Sequence, residues 1–182
     1  ENYDTTRDIL YCKVMYQEKI LHVYVLHLPS KRERDINKPK RDYILQELKK
    51  NIETRVHEEE GGVIVLGDFN TNPDDEGIVD LLNVSDETNL LNPFLNIYRN
   101  RVYSTFHYSH GLLFDQILVS GDLFKEESPL RFEYAEVFTS EKIKSTDKRF
   151  RGRPFRTYAG TRYLGGYSDH FPVIVKMEVN AP

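Results

Sequence analysis

Four groups of polar side chains in this sequence have the types and positions to do chemistry together. Asp68 and Asn70 follow the apolar run Val63–Leu66 in VIVLGDFN, Asp169 and His170 precede FPVIV, His27 ends LHVYVLH, and Asp115 stands inside LLFDQILVS. Each has an ordinary explanation when taken alone. Asp and Asn favour turns, and Gly67 relaxes the backbone before them. Asp169 could cap a turn, His170 could be a satisfied surface histidine, and His27 could pack at a strand end before Pro29-Ser30. Asp115 is harder to explain that way. A carboxylate in an apolar strand is costly unless a cation or polar group partners it, and a histidine that donates its N–H gains a fixed tautomer and higher basicity.

Together these groups supply hard oxygen donors, two histidines and a carboxamide. Oxygen donors suit Mg²⁺ or Mn²⁺, which bind through few carboxylates plus waters and substrate phosphate. Zinc would call for more nitrogen or sulfur ligands, and the sequence has no Cys cluster and no His-x-x-x-His pair. There is no GxxxxGK[ST] loop and no G-x-S-x-G elbow, which argues against P-loop hydrolysis of a nucleoside triphosphate and against an α/β-hydrolase nucleophile.

The elements that must position these groups follow from periodicity. LHVYVLHL (Leu21–Leu28) is β-rich and reads as a buried strand, with ILYCKVMY as its hairpin partner and QEK as the turn. Pro39 opens a helical pattern in which Ile44, Leu48, Ile52 and Val56 recur every four residues with Leu45 beside them, and Gly61-Gly62 is expected to close it. VIVLG is then a short buried strand. Strand, helix, strand implies a crossover that lays the second strand beside the first, so His27 should lie near Asp68 and Asn70. EGIVDLLN reads as a short helix, LLFDQILVS as a strand interrupted by Asp115, FEYAEVF as a weaker strand, and FPVIVKMEV as the last one.

The totals fit this reading. A length of 182 residues suits one domain, 1–182, with material for a core, and 39% hydrophobic with 30% charged residues is a globular composition. The net charge of −4 gives no overall attraction to nucleic acid or anionic membrane, so such contact needs a local basic patch. Cys12 is the single cysteine and reads as a buried thiol, which excludes an internal disulfide framework. No apolar stretch approaches the ~20 residues of a membrane span. Nothing in ENYDTTRD resembles a secretory signal, and the sequence leaves compartment and oligomeric state open.

HLPS (His27–Ser30), GDFN (Gly67–Asn70), FDQILVS (Phe114–Ser120) and SDHFPV (Ser168–Val173) resemble, in this order, the endonuclease/exonuclease/phosphatase superfamily of deoxyribonuclease-like proteins. The resemblance implies an α/β fold, a four-layered α/β sandwich of two mixed β-sheets with helices outside. It implies a divalent-metal-dependent phosphoesterase, a nuclease or phosphatase acting by in-line attack of an activated water, with Mg²⁺ or Mn²⁺ as cofactor. Asp68 would orient or deprotonate the water, and Asn70 would hold the scissile phosphate. Asp169 would contribute to the metal site, His170 would stabilise charge on the five-coordinate phosphate, and Asp115 would hold His170. His27 would flank the phosphate from the other side, and Arg7 would contact it. The same resemblance implies an upstream asparagine and a metal-binding glutamate. Glu1–Leu26 hold no copy of either, since Glu1 and Glu18 stand in other local settings. The chain therefore resembles the C-terminal portion of such a protein, and a non-catalytic phosphate-binding fragment is the alternative.

The stretch Lys142–Arg162 reads as a long loop rich in Lys and Arg, interleaved with Phe150, Phe155 and Tyr158. Such a mixture can follow a phosphate backbone and stack on bases, or it can be a solvated loop pinned by its aromatics. Because it runs into Asp169-His170, Arg156 and Arg162 are expected to bind substrate phosphate. The substrate class stays open between nucleic acid and a phosphorylated lipid, sugar or inositol. The pI of about 5.9 weighs mildly against a dedicated DNA binder.

Overall fold

The computed structural model describes residues 6–31 and 34–180; Glu1 lies outside them. The chain opens with a hairpin, β1 (Leu10–Tyr16) and β2 (Lys19–His27), followed by α1 (Lys38–Glu58) and β3 (Gly62–Asp68). Next come α2 (Glu76–Leu82), β4 (Leu90–Leu91), α3 (Phe94–Arg99), β5 (Thr105–His107), β6 (His110–Leu112) and β7 (Asp115–Ser120). β8 (Leu130–Val137), the short β9 (Tyr158–Ala159) and β10 (Arg162–Tyr163), and β11 (Val173–Val179) complete it.

The five-stranded sheet has the order β1-β2-β3-β7-β4. β2 and β3 run parallel, as the α1 crossover requires, and the other pairings are antiparallel. Gln17 and Glu18 both take positive φ, 44° and 63°, which gives the β1–β2 turn the twist that two-residue hairpins favour. Side-chain alternation divides the sheet's two faces. Tyr24, Leu26, Val63, Val65 and Leu118 pack against Leu45, Leu48 and Ile52 of α1 and Ile78 and Leu81 of α2. On the other face Leu21, Val23, Ile64, Ile117 and Val119 meet Leu130, Val175 and Met177 of the antiparallel β8–β11 pair. Helices, large sheet and small sheet thus stack as the α/β sandwich expected. The large sheet is mixed as expected, but the small one is antiparallel where a second mixed sheet was expected, because among the described residues β8 and β11 pair only with each other.

Three local expectations need correction. Gly61-Gly62 does not cap α1: Glu59 takes that position, and neither glycine has positive φ. A Cβ on Gly61 would sit 2.6 Å from the Ile20 carbonyl oxygen, so glycine is there for the close crossing of β2. Cys12 is half-buried, because β1 is an edge strand with only β2 beside it. Asp115 opens β7 and does not interrupt it, since β6 ends at Leu112 and Leu113-Phe114 pass between the two strands.

One buried charge was not visible in the sequence pattern. Arg41, on α1, is 1% exposed. Its Nη2 lies 2.5 Å from Asp35 Oδ1, and Nη1 donates to the Pro29 carbonyl at 3.2 Å. It ties the chain leaving β2 to the helix, and so holds the segment after His27. Arg41→Ala should lower stability by about 3–5 kcal/mol, the usual cost of breaking a buried ion pair by deleting one partner. Urea unfolding would measure it; a loss under about 1 kcal/mol, typical of a surface pair, would contradict this role.

Candidate active site

The registers of the large sheet build the site. His27 stands opposite Asp68 in the β2–β3 ladder, and Asp68 stands opposite Asp115 in the β3–β7 ladder. Directly paired residues share a face, so these three side chains lie in a row across three strands. Two residues back along each strand are Val25, Leu66 and Ile117, and four back are Val23, Ile64 and Val119. Val23, Ile64, Ile117 and Val119 face β8–β11. The row therefore ends the seam between the two sheets, where apolar packing gives way to polar groups.

Each residue of Gly67-Asp68-Phe69-Asn70 has a separate task. Gly67 has φ +138°, and a Cβ there would sit 1.9 Å from the Leu26 carbonyl oxygen, so only glycine fits. Asp68 Oδ1 accepts the Asn70 backbone N–H at 2.8 Å, closing a tight Asx turn. Its other oxygen, Oδ2, lies 3.5 Å from His27 Nε2. Phe69 is fully buried in the main core, and its N–H donates to the Phe114 carbonyl at 2.8 Å, which anchors the turn. Asn70 takes φ +50° and is 7% exposed, and its Nδ2 donates to the Leu28 carbonyl at 2.8 Å. The turn and the polar site are one structure: one carboxylate oxygen of Asp68 makes the turn and leaves the other facing the cleft.

His170 completes the cluster. Its Nδ1–H donates to Asp115 Oδ2 at 2.6 Å, which leaves Nε2 outward. Ser104 Oγ donates to the same Asp115 oxygen at 2.6 Å. Thr105 forms a backbone bridge with His170, its hydroxyl donates to the Asp169 carbonyl at 2.9 Å, and Phe171 N–H donates to the Ser104 carbonyl at 2.7 Å. Ser104 and Thr105 are buried and were missed in the sequence. The only signal was a pair of small hydroxyl residues before Phe106-His107, which any strand could carry.

Burial pushes the Asp68 carboxyl above the usual carboxylate range, and the charge of Asp115 adds to this against the pull of the Asn70 N–H and the two histidines. For His170, burial opposes the imidazolium, but the Asp115 hydrogen bond and the charges of Asp115, Asp68 and Asp169 together outweigh it and raise its pKa. Asp68, Asp115 and His170 offer ligand atoms within 4.8 Å of one another. With His170 Nδ1 committed to Asp115, carboxylate oxygen dominates the donor set, and that chemistry fits a hard divalent cation completed by waters and phosphate.

The remaining sequence candidates lie further out. Asp169 has a side chain 60% exposed and faces Arg156, whose Nη2 is 3.6 Å away. Arg7 is exposed and precedes Leu10, the residue paired with Val25, so it lies toward the His27 end of the sheet. Arg162 is exposed on the β9–β10 hairpin, and no ion pair among the described residues joins it to the cluster. The Lys142–Arg162 stretch is more ordered than a bare loop. Phe155 N–H donates to the Ile143 carbonyl and Tyr167 N–H to the Phe155 carbonyl, both at 2.8 Å, so backbone bonds tie the stretch together on its way to Asp169.

A family model described as the Endonuclease/Exonuclease/phosphatase family matches residues 1–179. The chain belongs to that family. Solved structures share its fold at low identity. A humanized Danio rerio (D. rerio) TDP2 carrying 14 mutations has a TM-score of 0.58 at 18% identity, with 94% of this chain and 60% of that one covered. The human Nocturnin catalytic domain with bound sulfate has a TM-score of 0.57 at 18% identity, covering 93% and 51%. The Bacteroides thetaiotaomicron mannosyl-6-phosphatase Bt3783 has 0.56 at 16%, covering 89% and 52%. This family member thus spans between 51% and 60% of the length of those three. A search of curated proteins finds no match.

Proposed function

We propose that the chain carries the residues of a phosphoesterase site, which hydrolyses a phosphodiester or phosphomonoester by in-line attack of water. The observation that carries this reading is the row His27–Asp68–Asp115 extended by His170 Nδ1 on Asp115, 2.6 Å apart. Family membership supports hydrolysis of a phosphoric ester in general.

Asp68 Oδ2, the oxygen not spent on its own turn, accepts the proton of the attacking water. Burial raises the proton affinity of this oxygen, the direction in which a general base gains strength. Asn70, held by Leu28, presents its remaining amide capacity to the phosphate. His170 Nε2 donates to a phosphoryl oxygen as charge accumulates, and Asp115 orients the ring and favours its protonated form. His27 flanks the phosphate from the β2 side. Asp169 at the rim, directly or through water, and Asp115 inside would hold Mg²⁺ or Mn²⁺, which when bound would neutralise phosphate charge and lower the barrier to attack.

The test is hydrolysis of bis-p-nitrophenyl and p-nitrophenyl phosphate by this chain in Mg²⁺, Mn²⁺ or EDTA. Turnover that EDTA abolishes and either metal restores is the expected result, and the preferred ester separates diesterase from monoesterase. Turnover unaffected by EDTA would overturn the metal requirement. Absence of turnover with retained phosphate binding would favour the non-catalytic alternative.

A further inference from the structure

Beside the cluster, and sharing Asp169 and Arg156 with its rim, a cavity of about 270 Å³ opens between the β5–β6 hairpin and the segment that leads to Asp169. Arg149, Arg153 and Arg156 line it against the single lining carboxylate, that of Asp169. Three guanidinium groups in one cavity, on a chain whose net charge is −4, make a local anion site. Two of them already lie over rings of the wall: Arg149 is 5.4 Å from the Phe150 centroid, and Arg153 is 5.2 Å from that of Phe106. Such contacts hold the planar groups in place and leave their edges to donate. Among the described residues no ion pair joins the Arg149 or Arg153 guanidinium to a carboxylate, although the Arg149 backbone N–H donates to Asp147 Oδ1 at 2.8 Å.

Tyr108 at the hairpin tip is the second observation. Its side chain is a large ring on a residue 80% exposed, yet its backbone is held at φ +50°, which bulky residues rarely adopt. Arg153 donates to the Tyr108 carbonyl, and His107 packs edge-on against the phenol at 4.6 Å. The tip is thus tied to the arginine segment with one aromatic surface turned to solvent at the cavity's edge. The positive φ belongs to the two-residue turn that joins β5 to β6, so the hairpin itself holds the ring at the tip.

We propose that this cavity binds a nucleotide unit of the substrate next to the scissile phosphate. Arg149 and Arg156 hold a phosphate of that unit, and Tyr108 stacks on its base. A sugar or inositol phosphate would use the arginines but would offer the ring only a C–H face in place of the larger π-face of a base. The proposal rests on the phosphoesterase reading and narrows its substrate class to nucleotides, free or within a strand.

The experiment is fluorescence anisotropy with a fluorescein-labelled single-stranded DNA tetramer, in EDTA so that no hydrolysis intervenes. Competitors are thymidine monophosphate, mannose 6-phosphate and inorganic phosphate. The chain should bind the probe, more weakly as salt rises. Tyr108→Ala should weaken binding by about tenfold, the scale of a lost base stack, and Tyr108→Phe should restore it. Arg149→Ala should weaken all anions, and thymidine monophosphate should compete far better than the other two. Tyr108 is exposed, so its truncation leaves the core untouched, and a melting curve checks this. Better competition by the mononucleotide than by unlabelled tetramer would assign the site to free nucleotides, and the reverse to strands. No probe binding, equal competition by all three anions, or Tyr108→Ala matching the unsubstituted chain would overturn the proposal. Binding with these properties in a chain that hydrolyses nothing would overturn only the phosphoesterase reading.

Discussion

Asp68→Asn should leave the fold intact and reduce hydrolysis of bis-p-nitrophenyl phosphate by about 10²–10⁴-fold, the usual contribution of a positioned general base. The substitution changes little else. Asparagine has the same shape, and its side-chain oxygen can still accept the Asn70 N–H that Asp68 Oδ1 accepts at 2.8 Å. What disappears is the basicity of Oδ2, the oxygen 3.5 Å from His27. Unfolding should therefore be unchanged or slightly stabilised, because a carboxylate whose charge burial disfavours is replaced by a neutral group. Alanine would confuse two effects, since it removes the turn's acceptor as well as the base. Steady-state kcat and a melting curve on the asparagine variant decide the matter. A kcat within threefold of the parent would show that the water is activated elsewhere.

Asp115→Asn and His170→Ala should each reduce turnover by about 10²–10³-fold, comparable with losing one oxyanion donor, and the double variant should be scarcely worse than His170→Ala. The reason is the single 2.6 Å hydrogen bond through which Asp115 acts. An asparagine at 115 can present either an oxygen or an N–H to Nδ1, but it supplies no charge to keep the imidazole protonated. Residues that work as a unit give strongly non-additive losses. Additive losses, with the double variant near the product of the two singles, would mean that Asp115 and His170 have independent roles. Ser104→Ala provides a graded control: it removes one of the two donors on Asp115 Oδ2 and leaves the charge and the imidazole in place.

The elements that carry this site were visible in the residues to different degrees. The β2–α1–β3 crossover was legible because both signals are local: alternation over Leu21–Leu28 and a four-residue repeat from Ile44 to Val56. From the crossover alone, the pairing of His27 with Asp68 could be anticipated, and the parallel register confirms it. Asp115 stood out because a carboxylate in an apolar run demands a partner. Its place at the mouth of β7 depended on where β6 stopped, which no local preference marks. Arg41 looked like one more cation on a charged helix. It is buried because Asp35 and the Pro29 carbonyl happen to meet it there.

Residue types and short-range spacing therefore told which side chains could supply hard oxygen donors and imidazoles and which strands would deliver three of them to one end of a sheet, while their phosphate chemistry came from the resemblance of the four motifs to the family. Side-chain period and strand–helix crossovers are properties of neighbouring residues, and a sequence records neighbours directly. The tertiary structure decided what holds those side chains: Ser104 and Thr105, far along the chain from the Asp169-His170 pair they brace, and the arginine-lined cavity between the Tyr108 hairpin and Arg149–Arg156. It also placed Arg162 on a hairpin where, among the described residues, no ion pair joins it to the cluster, although the sequence grouped it with Arg156. Such contacts join segments distant in sequence and depend on which sheet edges pair, so a polar residue's local setting carries no record of them.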